Sequence, residues 1–343
     1  MVKHINKIVW AALGLIAPVI AFSFAFFTTS AIKNSDEVAT TAVIQETKPM
    51  ENQKKKRYNI LLLGEDDAAG LTDVLMIVSC DTENGEINVL QIPRDTYAEY
   101  TSVSYRKMNA ASDILGGGAG VADFLEETLV ISIDHHITVD LDAVSAVVDA
   151  LGGVEVDVPM DMIYADPYQD LSIEIKKGRQ ILDGEKAKQF IRYRSGYIRG
   201  DLDRLDAQKV FLSAILKKIS EQSNIFSVVE IIGAVLPHVE SNISYNDCFD
   251  LIKELGVPDM EKVSFVTLPG GDIQGSSGAW YYIMNRDAAY KVIREKFNSD
   301  ISEVEFDPER KFTSTVRSGF NDIYEADIGY EPEFYIADEI NGA

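Results

Sequence analysis

The 343-residue sequence is poor in cysteine, histidine and positive charge, and each shortage excludes something. Its two cysteines, Cys80 and Cys248, stand far apart with no CxxC and no Cys/His spacing, which argues against a zinc module or a disulfide framework. Each reads as a buried apolar residue, or the two as a single bridge if the domain lies in an oxidising compartment. Among the four histidines, the pair His135-His136 lacks a partner at metal-ligand spacing. There is no G-x-S-x-G and no credible Ser/His/Asp set, which argues against acyl hydrolysis. Gly116 to Gly120 is not followed by Gly-Lys-Ser/Thr, so it is no P-loop and reads as a connection near the substrate or a plain loop. Basic residues number 32 against 55 acidic ones, a formal charge of −23. Such a chain repels a polyanion at long range, so nucleic acid is excluded as a partner and any anionic ligand needs a local basic patch.

What is present is a large apolar content, 46% with 15 Phe and 15 Tyr, enough for a packed core. From Ile8 to Ile32, 25 residues contain no Asp, Glu, Lys or Arg. At about 1.5 Å per residue this exceeds the roughly 30 Å of bilayer hydrocarbon. It is expected to be a transmembrane anchor over 8–32. Lys3 and Lys7 precede it, and Asp36 and Glu37 follow soon after Lys33, which keeps residues 1–7 cytoplasmic and the rest extracytoplasmic. The competing reading is a cleaved signal peptide, with Thr29-Ser30-Ala31 near the cleavage point, but the apolar run is long for one. Residues 33–57 are polar, lack periodicity and end in Lys54-Lys55-Lys56-Arg57, a tether whose basic end reads as a solvated stop or as a contact with anionic lipid or wall polymer.

The span 58–300 reads as one domain, with no internal repeat and no Pro/Gly/Ser-rich linker. Tyr58 to Gly64 is a short apolar run closed by Gly, the pattern of a strand buried on both faces. Val74 to Ser79 and Ile87 to Ile92 predict two further strands joined as a hairpin through Asn84-Gly85. More strands are predicted at 137–139, 154–158 and 263–268, and helices at 121–129, 141–151, 184–192, 203–219, 225–236, 245–255 and 286–297. This alternation predicts an α/β fold, a mixed central sheet flanked by helices. The tail 301–343, with eleven acidic and three basic residues, either packs on the domain or forms a separate edge.

Two clusters carry the chemistry. Four of the twelve arginines, Arg192, Arg194, Arg199 and Arg204, fall within thirteen residues. Guanidinium forks match phosphate oxygens, so a pyrophosphate is the natural partner; the alternative is surface pairing with Asp201, Asp203 and Asp206. Arg204 and Gln208 share a helical face, and Arg192 and Arg194 converge only if the preceding helix ends near Arg192 and the chain turns extended. The second cluster is Gly64-Glu65-Asp66-Asp67 with Asp73, carboxylates at strand ends that could hold magnesium on phosphate oxygens, or serve merely as turn residues. Arg94 and Asp95 follow a third strand, and Lys107 lies shortly after.

In order along the chain, NILLLGEDD (59–67), TDVLMIVS (72–79), IPRDTY (92–97), KMNAA (107–111), VDALGGVEVDVP (148–159), GRQILDGEKAKQFIRYR (178–194) and GDLDRLDAQ (200–208) resemble the LytR-CpsA-Psr family of membrane-anchored cell-wall glycopolymer ligases. The resemblance implies a bacterial single-pass membrane protein with an extracytoplasmic catalytic domain. It implies transfer of a glycopolymer such as teichoic acid or capsule from an undecaprenyl-pyrophosphate carrier to peptidoglycan, with a phosphodiester as product. Asp66 and Asp73 stand where the family holds magnesium, or manganese in its place. Arg94, Arg192, Arg194 and Arg204 stand at its pyrophosphate-binding arginines, Gln208 at the glutamine after the last of them, and Asp201 at the acidic residue that orients that arginine. Lys107 joins the pyrophosphate set. The catalytic group is then Asp73, Arg94, Asp95 and Arg194, with Asp73 or Asp95 as the proton acceptor. One departure is plain: the family's usual Arg two residues before Asp73 is Leu71 here, a charge that Arg106 or Lys107 could replace. An apolar groove for the carrier could be lined by Val121, Phe124 and Leu125, unless these are core. A pyrophosphate hydrolase and a non-catalytic wall-binding or regulatory protein are the rival readings.

Overall fold

The computed structural model describes residues 57–66, 71–98, 106–167, 171–221, 231, 233–255, 258–274, 278–297 and 334–336. The predicted anchor at 8–32 and nearly all of its tether lie outside the described residues. Among the described residues no helix is long and apolar enough to cross a membrane.

The predicted buried strands form the centre of a seven-stranded mixed sheet. Strands β1 (Arg57–Asp66), β2 (Leu71–Asp81) and β3 (Glu86–Gln91) are joined antiparallel, and β4 (His135–Val139) runs parallel to β1. Two short antiparallel pairs lie outside this sheet, β5 (Val154–Val158) with β8 (Gly178–Leu182) and, between them in sequence, β6 (Met162–Asp166) with β7 (Leu171–Ile175). The sheet is completed by β9 (Val239–Ser241) beside β4, and by β10 (Val263–Thr267), parallel to β3. A further hairpin pairs β11 (Gly270–Gln274) with β12 (Trp280–Met284), and β13 (Phe334–Ile336) closes the edge beyond β10. Of the acidic tail only residues 334–336 are described, and they pair with β10.

Strand alternation sends successive side chains to opposite faces, so each central strand feeds two cores. Ile60, Met76 and Val78 face one core together with Val147, Phe190, Phe211 and Ile215. Leu61, Leu63, Leu75 and Ile77 face the other with Phe124, Leu125, Val292 and Phe297. The covering helices on the first side are α3 (Leu141–Ala150), α4 (Gly184–Arg192) and α5 (Asp201–Ser220); on the second are α1 (Ala111–Leu115), α2 (Gly118–Leu129) and α7 (Arg286–Lys296), while α6 (Tyr245–Leu255) precedes β10. Asp140, Asp183 and Asn285 cap α3, α4 and α7 by accepting the amide hydrogens of Ala143, Lys186 and Ala288.

Several expectations need correction. The β2–β3 connection is a four-residue loop, since Asp81 pairs with Glu86. The carboxylate of Asp81 accepts the amides of Glu83 and Asn84, and that extra ring of bonds favours the longer loop over a two-residue turn. Gly118 and Gly120 are no loop but the first turn of α2. A Cβ on Gly120 would sit 2.0 Å from the Leu115 carbonyl oxygen and one on Gly118 2.6 Å from His136 Nδ1, so close packing of the α1–α2 elbow requires glycine. Of the two readings of Val121, Phe124 and Leu125, the core one holds: all three are fully packed. Arg57 belongs to β1, tied to Asp81 at 2.9 Å, and not to the tether. The predicted helix at 225–236 is described only at 231 and 233–235, where the chain is helical. Cys80 and Cys248 are both buried thiols with no disulfide between them, and burial pushes the Cys80 thiol up to about 12.

Candidate functional site

The site forms at one edge of the sheet. There β1 and β3 end and antiparallel β2 begins, which places Asp66, Asp73 and Arg94 at neighbouring strand ends, where open α/β sheets gather ligands. Within the β1–β2 ladder, Gly64 pairs with Val74 but Glu65 pairs with Thr72, so Asp73 is the extra residue of a β-bulge. A bulge re-aims one side chain out of the alternation, and here that side chain is the central carboxylate. Gly64 is needed beside it, because a Cβ there would lie 2.9 Å from the Val74 Cβ.

Three arginines from three elements converge on Asp73. Arg94 Nη1 donates to Oδ1 at 2.6 Å, Arg194 Nη2 donates to Oδ2 at 2.9 Å, and Arg204 Nη1 stands 3.7 Å from Oδ1 while its Nη2 donates to the Asp73 carbonyl at 3.3 Å. The backbone supplies this convergence as the sequence requires: α4 stops at Arg192, and Tyr193 takes extended φ −64°, ψ 136°. Arg204 sits one turn into α5 and is the largest fully buried side chain, 1% exposed. Asp201 lies between Arg204 Nη2 at 2.7 Å and Arg94 Nε at 3.3 Å.

These contacts split the two carboxylates electrostatically. Burial alone would raise Asp73, but the charges of Arg194, Arg204 and Arg94 outweigh it and hold the carboxyl below its usual range. For Asp201 burial wins over the attraction of Arg204 and Arg94, and its pKa is raised. Arg94 loses to desolvation less than it gains from Asp73 and Asp201, so its pKa rises, whereas burial lowers that of Arg204. Several buried polar atoms here have no hydrogen-bond partner among the described residues: Arg94 Nε, Arg204 Nε, Gln208 Oε1 and both Asp201 oxygens. Two of these atoms, Arg94 Nε and Arg204 Nε, are donors and the other three are acceptors, so the ion pairs at this centre are close without being aligned as hydrogen bonds.

An apolar cleft of about 1070 Å³, counting the part open to solvent, runs from this centre between the sheet and the helices. Leu62, Met76, Val144, Phe211, Leu212 and Ile215 line it, and Asp73, Arg192 and Gln208 stand on the same wall set. The expected apolar groove therefore exists, lined by β1, β2, α3 and α5 in place of α2.

The remaining predicted residues divide. Asp95 and Lys107 pair at 2.8 Å beside Arg94, and Arg106 donates to the Tyr97 hydroxyl at 2.8 Å. Arg199 alone follows the surface reading, paired with Asp203 at 2.6 Å and with Asp206. Asp66 is placed at the end of β1 opposite Leu71, but its side chain is outside the described residues. Sequence reading missed Asp272, which follows β10 through Leu268-Pro269-Gly270-Gly271 much as Asp95 follows β3 through Ile92-Pro93-Arg94. Burial, Asp201 and Asp95 raise its pKa while Lys107 opposes them, which puts it in the same neighbourhood.

A metal would find hard oxygen donors at Asp73 and at the Asp66 position. Among the described residues no three His, Cys, Asp or Glu side chains group as a metal site. Asp73 and the aspartate at position 66 would be the oxygen donors for magnesium, which keeps waters and takes phosphate oxygens as its other ligands.

The LytR_cpsA_psr family profile matches residues 23–298. The polyisoprenyl-teichoic acid–peptidoglycan teichoic acid transferase TagV of Bacillus subtilis (strain 168) is 32% identical over 257 residues, 71% of this chain and 66% of TagV, just under two thirds of that relative's length. The TagU transferase of the same description from Bacillus mycoides (strain KBAB4) is 29% identical over 72% of this chain and 80% of its own. The crystal structure of B. subtilis TagV superposes with a TM-score of 0.62 at 31% identity, covering 73% of this chain and all of that one. TagT bound to LI-WTA superposes with a TM-score of 0.58 at 27% identity, covering 72% of this chain and 91% of that one.

Proposed function

The chain belongs to the LytR_cpsA_psr family, and from that premise we propose that it is a membrane-anchored phosphotransferase that moves a glycopolymer from a polyprenyl-pyrophosphate carrier to peptidoglycan. The observation that carries this reading is the meeting of Arg94, Arg194 and Arg204 at one end of an apolar cleft. An amphiphile with an isoprenoid chain and a pyrophosphate head matches both halves. The relatives named as teichoic acid transferases make teichoic acid or a similar wall polymer the cargo.

In this mechanism the tail lies among Leu62, Met76, Phe211 and Ile215, and Arg192 and Gln208 meet the head where the cleft turns polar. Arg94, Arg194 and Arg204 bind the phosphate oxygens and stabilise the charge that grows on the leaving polyprenyl phosphate. Asp201 orients Arg204 and Arg94. Magnesium, or manganese, held by Asp66 and Asp73 would supply further charge neutralisation on the pyrophosphate oxygens. The acceptor hydroxyl attacks the glycan-bearing phosphorus and loses its proton to a carboxylate. Asp73 is a poor acceptor because three guanidiniums hold its pKa down, so Asp95, next to Arg94, takes that role. The uncharged run 8–32 anchors the domain outside the cytoplasm, at the membrane where the carrier resides.

The test is a reconstituted assay with lipid-linked glycan and peptidoglycan. Folded Arg194→Ala should lose on the order of 100-fold in kcat/KM, as for a deleted transition-state donor, and Asp73→Ala should fail similarly. Unchanged transfer in both variants would place the site elsewhere, and glycan released without an acceptor would make the protein a hydrolase.

A further inference from the structure

The carrier cleft and the arginine centre leave the acceptor without a place. The β11–β12 hairpin supplies one. It is joined edge-on to the segment that carries Arg94 and Asp95: Tyr282 N donates to the Asp95 carbonyl at 2.9 Å, and Tyr97 N donates to the Tyr282 carbonyl at 2.8 Å. The register then sets Asp272 opposite Tyr282 and Gln274 opposite Trp280, so Asp272, Gln274 and Trp280 share one face of the hairpin. Trp280 is 55% exposed, an unusual placement for the largest apolar side chain. On the neighbouring residue, the Lys107 ammonium lies 5.3 Å from the Tyr281 ring centroid while it pairs with Asp95, and Tyr97 packs edge-on against Tyr281. None of these residues lines the carrier cleft.

We propose that this hairpin face is the acceptor subsite, a wall on which the sugar rings of a peptidoglycan glycan strand lie, with Trp280 as stacking platform and Asp272 and Gln274 as hydrogen-bonding groups. The proposal rests on the transferase reading and adds where its second substrate binds. Sugar rings present an apolar face that suits an indole and a rim of hydroxyl and acetamido N–H donors that suits carboxylate and amide oxygens. The charge on the face selects among occupants. Asp95, Asp201 and Asp272 crowd together closely enough that the first two, after burial, raise the pKa of the third. Asp95 and Asp201 are compensated by Lys107, Arg94 and Arg204, whereas Asp272 makes no ion pair among the described residues. The hairpin face itself therefore carries an uncompensated carboxylate that disfavours a phosphate-bearing donor polymer or an anionic lipid headgroup, whereas the glycan backbone of peptidoglycan brings hydroxyls. A strand on this face would present its hydroxyl past Asp95 towards Arg94, on the side of the centre away from the cleft.

The chain holds two tryptophans, Trp10 and Trp280, so a full-length Trp10→Phe variant in nanodiscs reports on Trp280 alone. Titration with chains of β-1,4-linked N-acetylglucosamine, the uncharged core of the peptidoglycan strand, with no donor present, should give a saturable change in its fluorescence. A phosphate-bearing wall-polymer fragment at the same concentration should give none. In the transfer assay, Trp280→Ala and Asp272→Asn should each raise the acceptor KM about tenfold or more with the donor KM unmoved, and Trp280→Tyr should restore part of the loss. A flat glycan titration together with a wild-type acceptor KM in Trp280→Ala overturns the subsite, as does an equal response to the phosphate-bearing polymer. If the glycan titrates but the wild-type chain transfers nothing from any lipid-linked donor, the transferase reading fails and the glycan-binding face stands.

Discussion

Asp73 shows how much depends on one side chain. It is a carboxylate in ion-pairing reach of three arginines, one of them almost wholly buried, and its folded pKa lies below the ordinary 3.8. A lowered pKa means the charged form stabilises the fold, an effect fully present above the unfolded pKa and lost as pH falls through the folded one. Asp73→Asn should therefore be less stable than the parent at pH 7, on the order of 2 kcal/mol for a charged hydrogen-bonded partner removed beside buried Arg204. Urea midpoints measured down the pH scale should converge only below about pH 4. A gap that stays constant to pH 2 would show that the charge of Asp73 contributes nothing. Arg194 and Arg204 were legible because they belong to four arginines within thirteen residues, whereas Arg94, a lone arginine after a strand, was picked out only by the ordered motifs. The bulge that aims Asp73 was not, since a one-residue offset between strands leaves no mark in their composition.

Elements carry the next level of constraint. The α1–α2 elbow depends on two glycines for different reasons. Gly120→Ala places a methyl 2.0 Å from the Leu115 carbonyl oxygen, and overpacking of that kind costs about 1–3 kcal/mol. Gly116→Ala meets no atom within 4 Å, but its φ of +84° is left-handed, at a cost of about 1–2 kcal/mol. Denaturation midpoints should fall in both, and high-resolution structures should show the backbone shifted only in the first. Helix α3 makes a functional prediction. Val144 faces the carrier cleft, and Val144→Trp should fill part of it, reducing affinity for a long-chain polyprenyl pyrophosphate at least tenfold while a short-chain analogue binds almost as before. Equal losses for both chain lengths would mean that the cleft does not hold the tail. Sequence periodicity located α3 and α4 nearly to their ends because caps such as Asp140 and Asp183 punctuate them. It left α2 open between a groove and a core, since an amphipathic stripe looks alike whether it faces a core or a cleft.

For the molecule as a whole, the tail and the charge distribution matter most. Residues 334–336 pair antiparallel with β10, which would otherwise be a sheet edge. Removing residues 301–343 should lower the melting temperature by a few degrees and promote self-association through the exposed strand, visible by light scattering. A truncated chain that stays monomeric with an unchanged melting point would make β13 an ornament of the edge. The net −23 is likewise a property of the whole chain that inverts locally, since Arg94, Arg192, Arg194 and Arg204 gather where the strands end. General repulsion of polyanions and capture of one small pyrophosphate are compatible because the first acts at long range and the second within contact distance.

Patterns that recur every two or four residues, charge, and ordered motifs are local, so strands β1 to β5 and β10, most helices, the α/β class and the arginine cluster could be read along the chain, whereas β6 to β9 and β11 to β13 could not. Contacts between distant segments are not local. That Asp73 is the odd residue of a bulge, that Cys80 and Cys248 form no disulfide, that α3 and not α2 borders the cleft, and that Asp272 comes to rest beside Asp95 follow from how β1, β2, β3, β10 and the hairpin are laid side by side. Those juxtapositions are set by packing two cores against one sheet at once, a condition on the entire chain that no window of sequence contains.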